Sequence, residues 1–189
     1  SARRLYGADM DRRWGEVRPV PAENLRVLSG TGRVGPFDFA YTPGHASHHV
    51  AYLDRASGFA FTGDVAGVRV TPADFVLPPT PPPDIDLEAW RDSLATVRRW
   101  EPARLAVTHF GAFDDVARQL DATAEGLSEL CELAQRLERD DFMAAVSGRV
   151  RAATDPDTAA AYEQAAPPDQ LWQGLRRYLQ TREQPAAGR

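Results

Sequence analysis

The stretch TPGHASHHVAYLD, residues 42–54, decides how this chain is read. A Pro-Gly turn is followed by three histidines within five residues, and then by an apolar run that alternates as a half-buried strand does. The whole chain has only four histidines in 189 residues, so imidazole is concentrated here for metal binding, catalysis or packing. A helical zinc-protease motif does not fit. It needs a helix to display two imidazoles on one face and a glutamate as base, yet Pro43 and Gly44 precede, β-type residues follow, and Ala46 stands where the glutamate belongs. A serine nucleophile at Ser47 is a minor alternative, because the GxSxG elbow is missing and nothing marks an acid partner.

Working outward, LRVL (25–28), FDFAYT (37–42), HVAYLD (49–54) and GFAFTGD (58–64) are short aliphatic and aromatic runs between Gly, Ser and Asp turns. This spacing predicts an antiparallel meander. Upstream, Leu5, Met10 and Trp14 predict a short helix over residues 3–15. GTGRVG at 30–35 matches a dinucleotide-binding pattern, but Pro36 and a strand follow where a helix would have to begin, so its glycines read as turn residues. Residues 71–88, TPADFVLPPTPPPDIDLE, are too rich in proline for helix or ladder and predict a long extended loop. Asp86 then caps a helix with Leu87, Trp90, Leu94 and Val97 on one face. RLAVTHFG (104–111) reads as a buried strand ending at a turn. From Phe113, Val116, Leu120, Leu127, Cys131 and Ala134 recur at helical spacing, followed by two or three shorter helices to about Thr181. The chain divides into a β-rich part, residues 1–112, and a helical region, residues 113–189.

Composition bounds the function. Hydrophobic residues make up 43% and charged residues 26%, and no apolar run reaches the roughly 20 residues of a membrane span, so the sequence predicts a globular chain without one. The N-terminal SARRLYGADMDRRWGEV lacks a signal-peptide core, and a single cysteine, Cys131, on an apolar helical stripe, fits a core residue in a reducing compartment. A cytoplasmic location is expected. The net charge of −5 argues against nucleic acid or anionic lipid as partners. Every basic residue is arginine, which points to a GC-rich bacterial gene.

Three polar residues stand at strand ends: His45 before one strand, Asp64 after the next, and His109 after a later one. If the sheet brings these ends to one edge, their nitrogen and oxygen donors suit zinc, iron or manganese. Taken singly, each residue has a plainer reading: an N-capping Asp64, a hydrogen-bonded core His109 and a solvated His45.

TPGHASHHVAYLD, FTGD and THFG, in this order and at these distances, resemble the later metal-ligand motifs of the metallo-β-lactamase fold hydrolases, and PPTPPPDID (78–86) adds to the likeness. The resemblance covers residues 20–112. It implies the second half of an αββα sandwich, an α/β (α+β) fold, here followed by a helical C-terminal region. It also implies that His45 is a ligand of a first metal, that Asp64 bridges two metals, and that His109 is a ligand of the second, with two zinc ions in a complete family site. His49 matches a supporting position, and His48, where a glycine is common, is ranked with it as a support. The implied activity is metal-dependent hydrolysis of an ester, thioester, lactone or phosphoester by metal-activated water, without a covalent enzyme intermediate. The region after Phe113 and the loop at 71–83 are expected to shape the substrate mouth.

One departure is large. The family's HxHxDH signature, which supplies the other ligands, is absent from these 189 residues. The chain is therefore read as the second half of a parent enzyme, inactive and holding metal weakly or not at all by itself. Its open sheet face is expected to be covered by a second copy, by the helices after Phe113 folding back, or by the missing first half, with self-association favoured. The competing reading is a non-catalytic helical interaction or oligomerisation module with a degenerate half-site.

Overall fold

Short strands separated by tight turns leave the backbone no local partner except the neighbouring strand, and the chain pairs accordingly. The structure, a computed structural model, describes residue 7 and residues 9–109 and 111–183. Strands β1 (Thr31–Val34), β2 (Phe37–Tyr41), β3 (Val50–Asp54), β4 (Phe59–Gly63), β5 (Arg104–Val107) and β6 (Gly111–Phe113) form one sheet in sequence order. β1 through β4 make the antiparallel meander that the turns predict. GTGRVG forms the first hairpin, with Gly30 and Gly35 at φ of 63° and 56°. β5, in contrast, runs parallel to β4, because the intervening chain crosses through the proline-rich loop and a helix before re-entering. Its carboxyl end therefore lies at the same sheet edge as that of β4.

Two expected elements differ. LRVL is not a strand: Leu25 is 59% and Val27 91% exposed, and the segment is tied to the sheet edge by the Tyr41 hydroxyl donating to the Leu28 carbonyl at 3.0 Å. No neighbouring strand completes a ladder for it among the described residues, so its apolar side chains have nothing to pack on. The N-terminal helix, α1, spans Asp9–Trp14, while residues 1–6 and 8 lie outside the described residues.

Register separates the two faces of the sheet. Phe39, Tyr52, Phe61 and Ala106 form one cross-strand row, and Leu53, Ala60 and Leu105 form the next, so the rows point to opposite sides. The Leu53 side is buried beneath the helices, and Ala51, Ala60 and Leu105 on it are fully inaccessible. α2 (Leu87–Arg99) buries Leu87, Trp90, Leu94 and Val97, as its periodicity predicts, and the Asp86 side chain caps it by accepting from the Ala89 amide at 3.0 Å. α3 (Val116–Arg136), α4 (Arg139–Ala153), α5 (Pro156–Ala165) and α6 (Pro168–Glu183) follow. α3 packs on α2 and α6, and α4 packs on α5 and α6. Leu120, Leu127, Phe142, Tyr162, Leu171 and Leu175 belong to one core with the sheet residues Ala51, Leu53 and Leu105. The helical region is thus packed on the sheet, not hung beside it.

The proline-rich loop is ordered by this packing. The Tyr162 hydroxyl accepts from the Val70 amide at 3.0 Å and donates to the Phe75 carbonyl, Thr80 Oγ1 donates to the Leu171 carbonyl at 3.2 Å, and Arg177 Nε donates to the Pro83 carbonyl at 3.1 Å. A run of prolines has few amides to satisfy, so its carbonyls take donors from outside. The approach is closest at Gly174, where an added Cβ would lie 1.9 Å from the Thr80 carbonyl oxygen. Gly174→Ala is expected to destabilise the fold by about 1–3 kcal/mol, the usual effect of overpacking. A urea midpoint shifted down with an unchanged slope would show this, whereas an unchanged midpoint would mean that α6 does not seat on the loop.

Candidate metal centre

Three loops meet where β3 begins and β4 and β5 end. His45 lies in the turn before β3, Asp64 opens a 3-10 turn directly after β4, and His109 follows β5. His45 Nε2 stands 3.7 Å from one Asp64 oxygen, Oδ2, and His109 Nε2 stands 3.3 Å from the other, Oδ1. All three side chains are partly buried, with 17%, 24% and 34% of the His45, Asp64 and His109 side chains exposed. The convergence expected from the three strand ends is therefore present, with one imidazole on each oxygen of a central carboxylate.

His45 and the backbone of Asp64 are held by different local devices. His45 Nδ1 lies 2.9 Å from the Pro79 carbonyl, which can only accept, so Nδ1 carries a proton and Nε2 is the nitrogen turned to Asp64. Behind it, the His45 ring packs edge-on against Trp90 at 5.7 Å, and the Trp90 indole donates to the Val65 carbonyl at 2.7 Å. Gly44 makes this approach possible: at φ 135° a Cβ would lie 2.4 Å from Trp90 Cα. The turn is closed by Ser93 Oγ donating to the Pro43 carbonyl at 2.6 Å and the Asp86 amide donating to the Gly44 carbonyl at 2.9 Å. Ser47 serves here as a strut, donating to Asp84 at 2.8 Å, and not as a nucleophile beside a base.

His49 lies behind Asp64. Its Nε2 accepts from the Asp64 amide at 3.2 Å, so the proton sits on Nδ1, which donates to Thr42 Oγ1 at 2.8 Å. Burial holds the His49 imidazole below its usual pKa, and the neighbouring His45 pushes it the same way. It stays neutral and orients the backbone at Asp64. Gly63, at φ 53°, permits this, since a Cβ there would lie 2.5 Å from His49 Nε2. His48 differs from its expected role. It is exposed and makes no hydrogen bond to the described residues, because the turn that aims His45 and His49 inward leaves the residue between them facing outward.

Thr42, Gly63, Trp90 and the Pro79 carbonyl are the parts that sequence reasoning missed. Thr42, flanking the histidines and ahead of the Pro-Gly turn, was the nearest to a readable signal. Thr42→Val keeps the shape and removes the acceptor, leaving an imidazole N–H buried without a partner. It is expected to lower stability by about 1–3 kcal/mol, with Thr42→Ser close to wild type. Equal midpoints for the valine and serine variants in urea would refute this role.

The donors fit a divalent metal in kind. Two ligands of one tetrahedral zinc, each at about 2.1 Å, lie roughly 3.4 Å apart, close to both imidazole–carboxylate spacings. They fit as two pairs, one on each oxygen of Asp64, and not as a closed trio. Among the described residues no group of three or more His, Cys, Asp and Glu side chains is placed to hold an ion by itself. The three donors border a cavity of about 170 Å³, walled by the proline-rich loop and by the α5–α6 junction. A cavity of about 220 Å³ between that loop, α3 and α4 contains no histidine and stands apart from this chemistry.

The helices are too short or too polar for a membrane span throughout the described residues. Comparison with known proteins places the geometry in context. The chain is 39% identical over 71 residues to a metallo-β-lactamase fold-containing protein, ST1585, of the archaeon Sulfurisphaera tokodaii; that match covers 38% of this chain and 25% of the relative. The crystal structure of an archaeal metallo-β-lactamase superfamily protein, ST1585 from Sulfolobus tokodaii, superposes with a TM-score of 0.58 at 22% identity, over 93% of this chain and 60% of that one. A metallo-β-lactamase family protein from Thermus thermophilus, TTHA1429, aligns over 82% of this chain and 49% of its own, at 18% identity and a TM-score of 0.49. The chain spans about a quarter of the curated relative in sequence and 60% of the solved one in structure. The family model of the metallo-β-lactamase superfamily runs from residue 4 to residue 143, across the sheet, all three donors and α3, and with most of its length so matched the chain belongs to that superfamily.

Proposed function

We propose that this chain carries the later half of a dinuclear metal site in a metal-dependent hydrolase. In this reading His45 is a ligand of one metal, Asp64 bridges both, and His109 is a ligand of the second. The observation that carries it is the division of Asp64: one oxygen faces His45 Nε2 and the other faces His109 Nε2. Zinc is the favoured ion, with iron or manganese compatible with the same donors. When bound, the ions supply an activated water and a Lewis acid for an ester, thioester, lactone or phosphoester. The chain's own residues fix the imidazole tautomers through Pro79 and Thr42, hold the carboxylate between the two rings, and narrow access through the wall of the α5–α6 junction. Three donors without a closed set leave the 189-residue chain with weak metal affinity and no turnover of its own. Equilibrium dialysis against zinc tests this: at most one loosely held ion per chain is expected, and two tightly held ions would overturn the reading.

The second face of the sheet favours a partner. Phe37, Tyr52, Phe59 and Phe61 line it, with Phe37 edge-on to Tyr52 at 6.2 Å and to Phe61 at 6.0 Å, while the core helices α2 to α6 share one core with the Leu53 side; Phe39 in the same row is already buried. In isolation the chain is proposed to bury this face against a second copy of itself; in a longer protein, a first half would occupy the same face. The non-catalytic alternative shares this surface, and a parent reading frame that codes an HxHxDH segment upstream would favour the hydrolase over it.

A further inference from the structure

Gln170 reaches the cavity that the three donors border, although it is distant from all of them in sequence. It lies in the first turn of α6, next to the Ala166-Pro167 junction, and lines the same cavity as His45, Asp64 and His109. Apart from Gln170 and the three donors, the lining residues have no polar side chains: Pro79 and Pro81 come from the loop, and Ala165 and Leu171 come from the helices. Gln170 is exposed, and its side-chain amide makes no hydrogen bond to the described residues; only its backbone is engaged, with the amide donating to the Pro167 carbonyl at 2.9 Å. Its position is itself fixed, since Thr80 Oγ1 holds the adjacent Leu171 carbonyl and Gly174, one turn further, seats on the loop. Among the described residues that line this cavity there is no arginine, so nothing on this wall answers an anionic group.

We propose that Gln170 determines the substrate class of the site, its amide N–H donating to the oxygen of a neutral ester or lactone seated between the metal ligands and the α5–α6 junction. A cavity of about 170 Å³ in which Gln170 is the one side-chain donor outside the three metal-ligand candidates suits a small carbonyl compound. A phosphoester, which needs charge-assisted partners, gains nothing from this wall. The inference rests on the reading of His45, Asp64 and His109 as metal ligands. It adds that the helical region, and not the metal loops alone, selects what enters.

The test uses the full chain saturated with zinc and protein-observed NMR. The Gln170 side-chain amide pair is assigned by its loss in Gln170→Ala. γ-Butyrolactone and phenyl phosphate are titrated separately into wild type, Gln170→Ala and Gln170→Glu. Lactone is expected to shift the Gln170 amide pair and to bind about five-fold more weakly to Gln170→Ala, the size of one uncharged hydrogen bond. Gln170→Glu should lose at least as much, because an ionised carboxylate cannot donate. Phenyl phosphate should bind the wild type and Gln170→Ala equally. Equal lactone affinity in wild type and Gln170→Ala overturns the proposal, as does an equal loss for phosphate, or no lactone binding by the zinc-loaded wild type. Zinc affinity separates the two levels. It should be unchanged in Gln170→Ala and lost in His45→Ala; if His45→Ala also leaves it unchanged, the metal reading fails and this inference fails with it.

Discussion

Phe61→Asp is expected to turn an associating chain into a monomer. Phe61 is 44% exposed in the middle of the aromatic face, stacked against Phe59 at 6.3 Å and edge-on to Phe37. Large apolar side chains left wet on a sheet face each forgo about 1.5–3 kcal/mol of burial, and a self-complementary patch recovers it by two-fold pairing. A charge at the centre of such a patch is desolvated on association, so the variant should weaken dimerisation by more than about 2 kcal/mol, on the order of 30-fold. The substitution leaves the Leu53 side of the sheet untouched, and the fold should survive. Light scattering at micromolar concentration should give a dimer or larger species for the wild type and a monomer for Phe61→Asp. A wild type that is already monomeric, with the amides of β2 to β4 exchanging freely, would show that nothing covers this face.

The second large effect belongs to Asp64. Asp64→Asn keeps the volume and one carbonyl oxygen but removes the negative charge and one of the two acceptor oxygens. Since the two imidazoles approach different oxygens, no side-chain rotation of an asparagine presents a lone pair to both. Zinc binding should fall at least 100-fold, beyond what loss of a supporting hydrogen bond around a metal ligand produces, which is about 10–100-fold. Folding should be nearly unaffected, because the Asp64 amide, which donates to His49, is retained. Zinc affinity equal to wild type by calorimetry would remove Asp64 from the metal site.

The meander, the Asp86 cap, the buried stripe of α2 and the meeting of His45, Asp64 and His109 were all legible in the sequence. Each depends on a local rule: alternation along a strand, a capping side chain, or a polar residue placed where an apolar strand runs out. What stayed hidden depends on distant contacts. LRVL has strand composition, but composition does not supply a neighbour, and the segment is left exposed. β6 is three residues long and exists because β5 offers it an edge. His48 looks like His45 and His49 in the sequence, and only the turn geometry distinguishes them. Gln170 is 61 residues beyond His109, and the glycine that seats its helix, Gly174, reads as an ordinary helix weakness until the Thr80 carbonyl is found against it. Alternating apolar strands on both sides call for two packing layers, and the core helices provide one.

Zinc X-ray absorption on the metal-loaded chain, compared with His45→Ala and His109→Ala, tests the central claim most directly. The account predicts a first shell of nitrogen and oxygen at about 2.0–2.2 Å with imidazole outer-shell scattering that diminishes in each variant. A spectrum with no imidazole contribution, or one identical across all three proteins, would contradict the assignment of His45 and His109 as metal ligands.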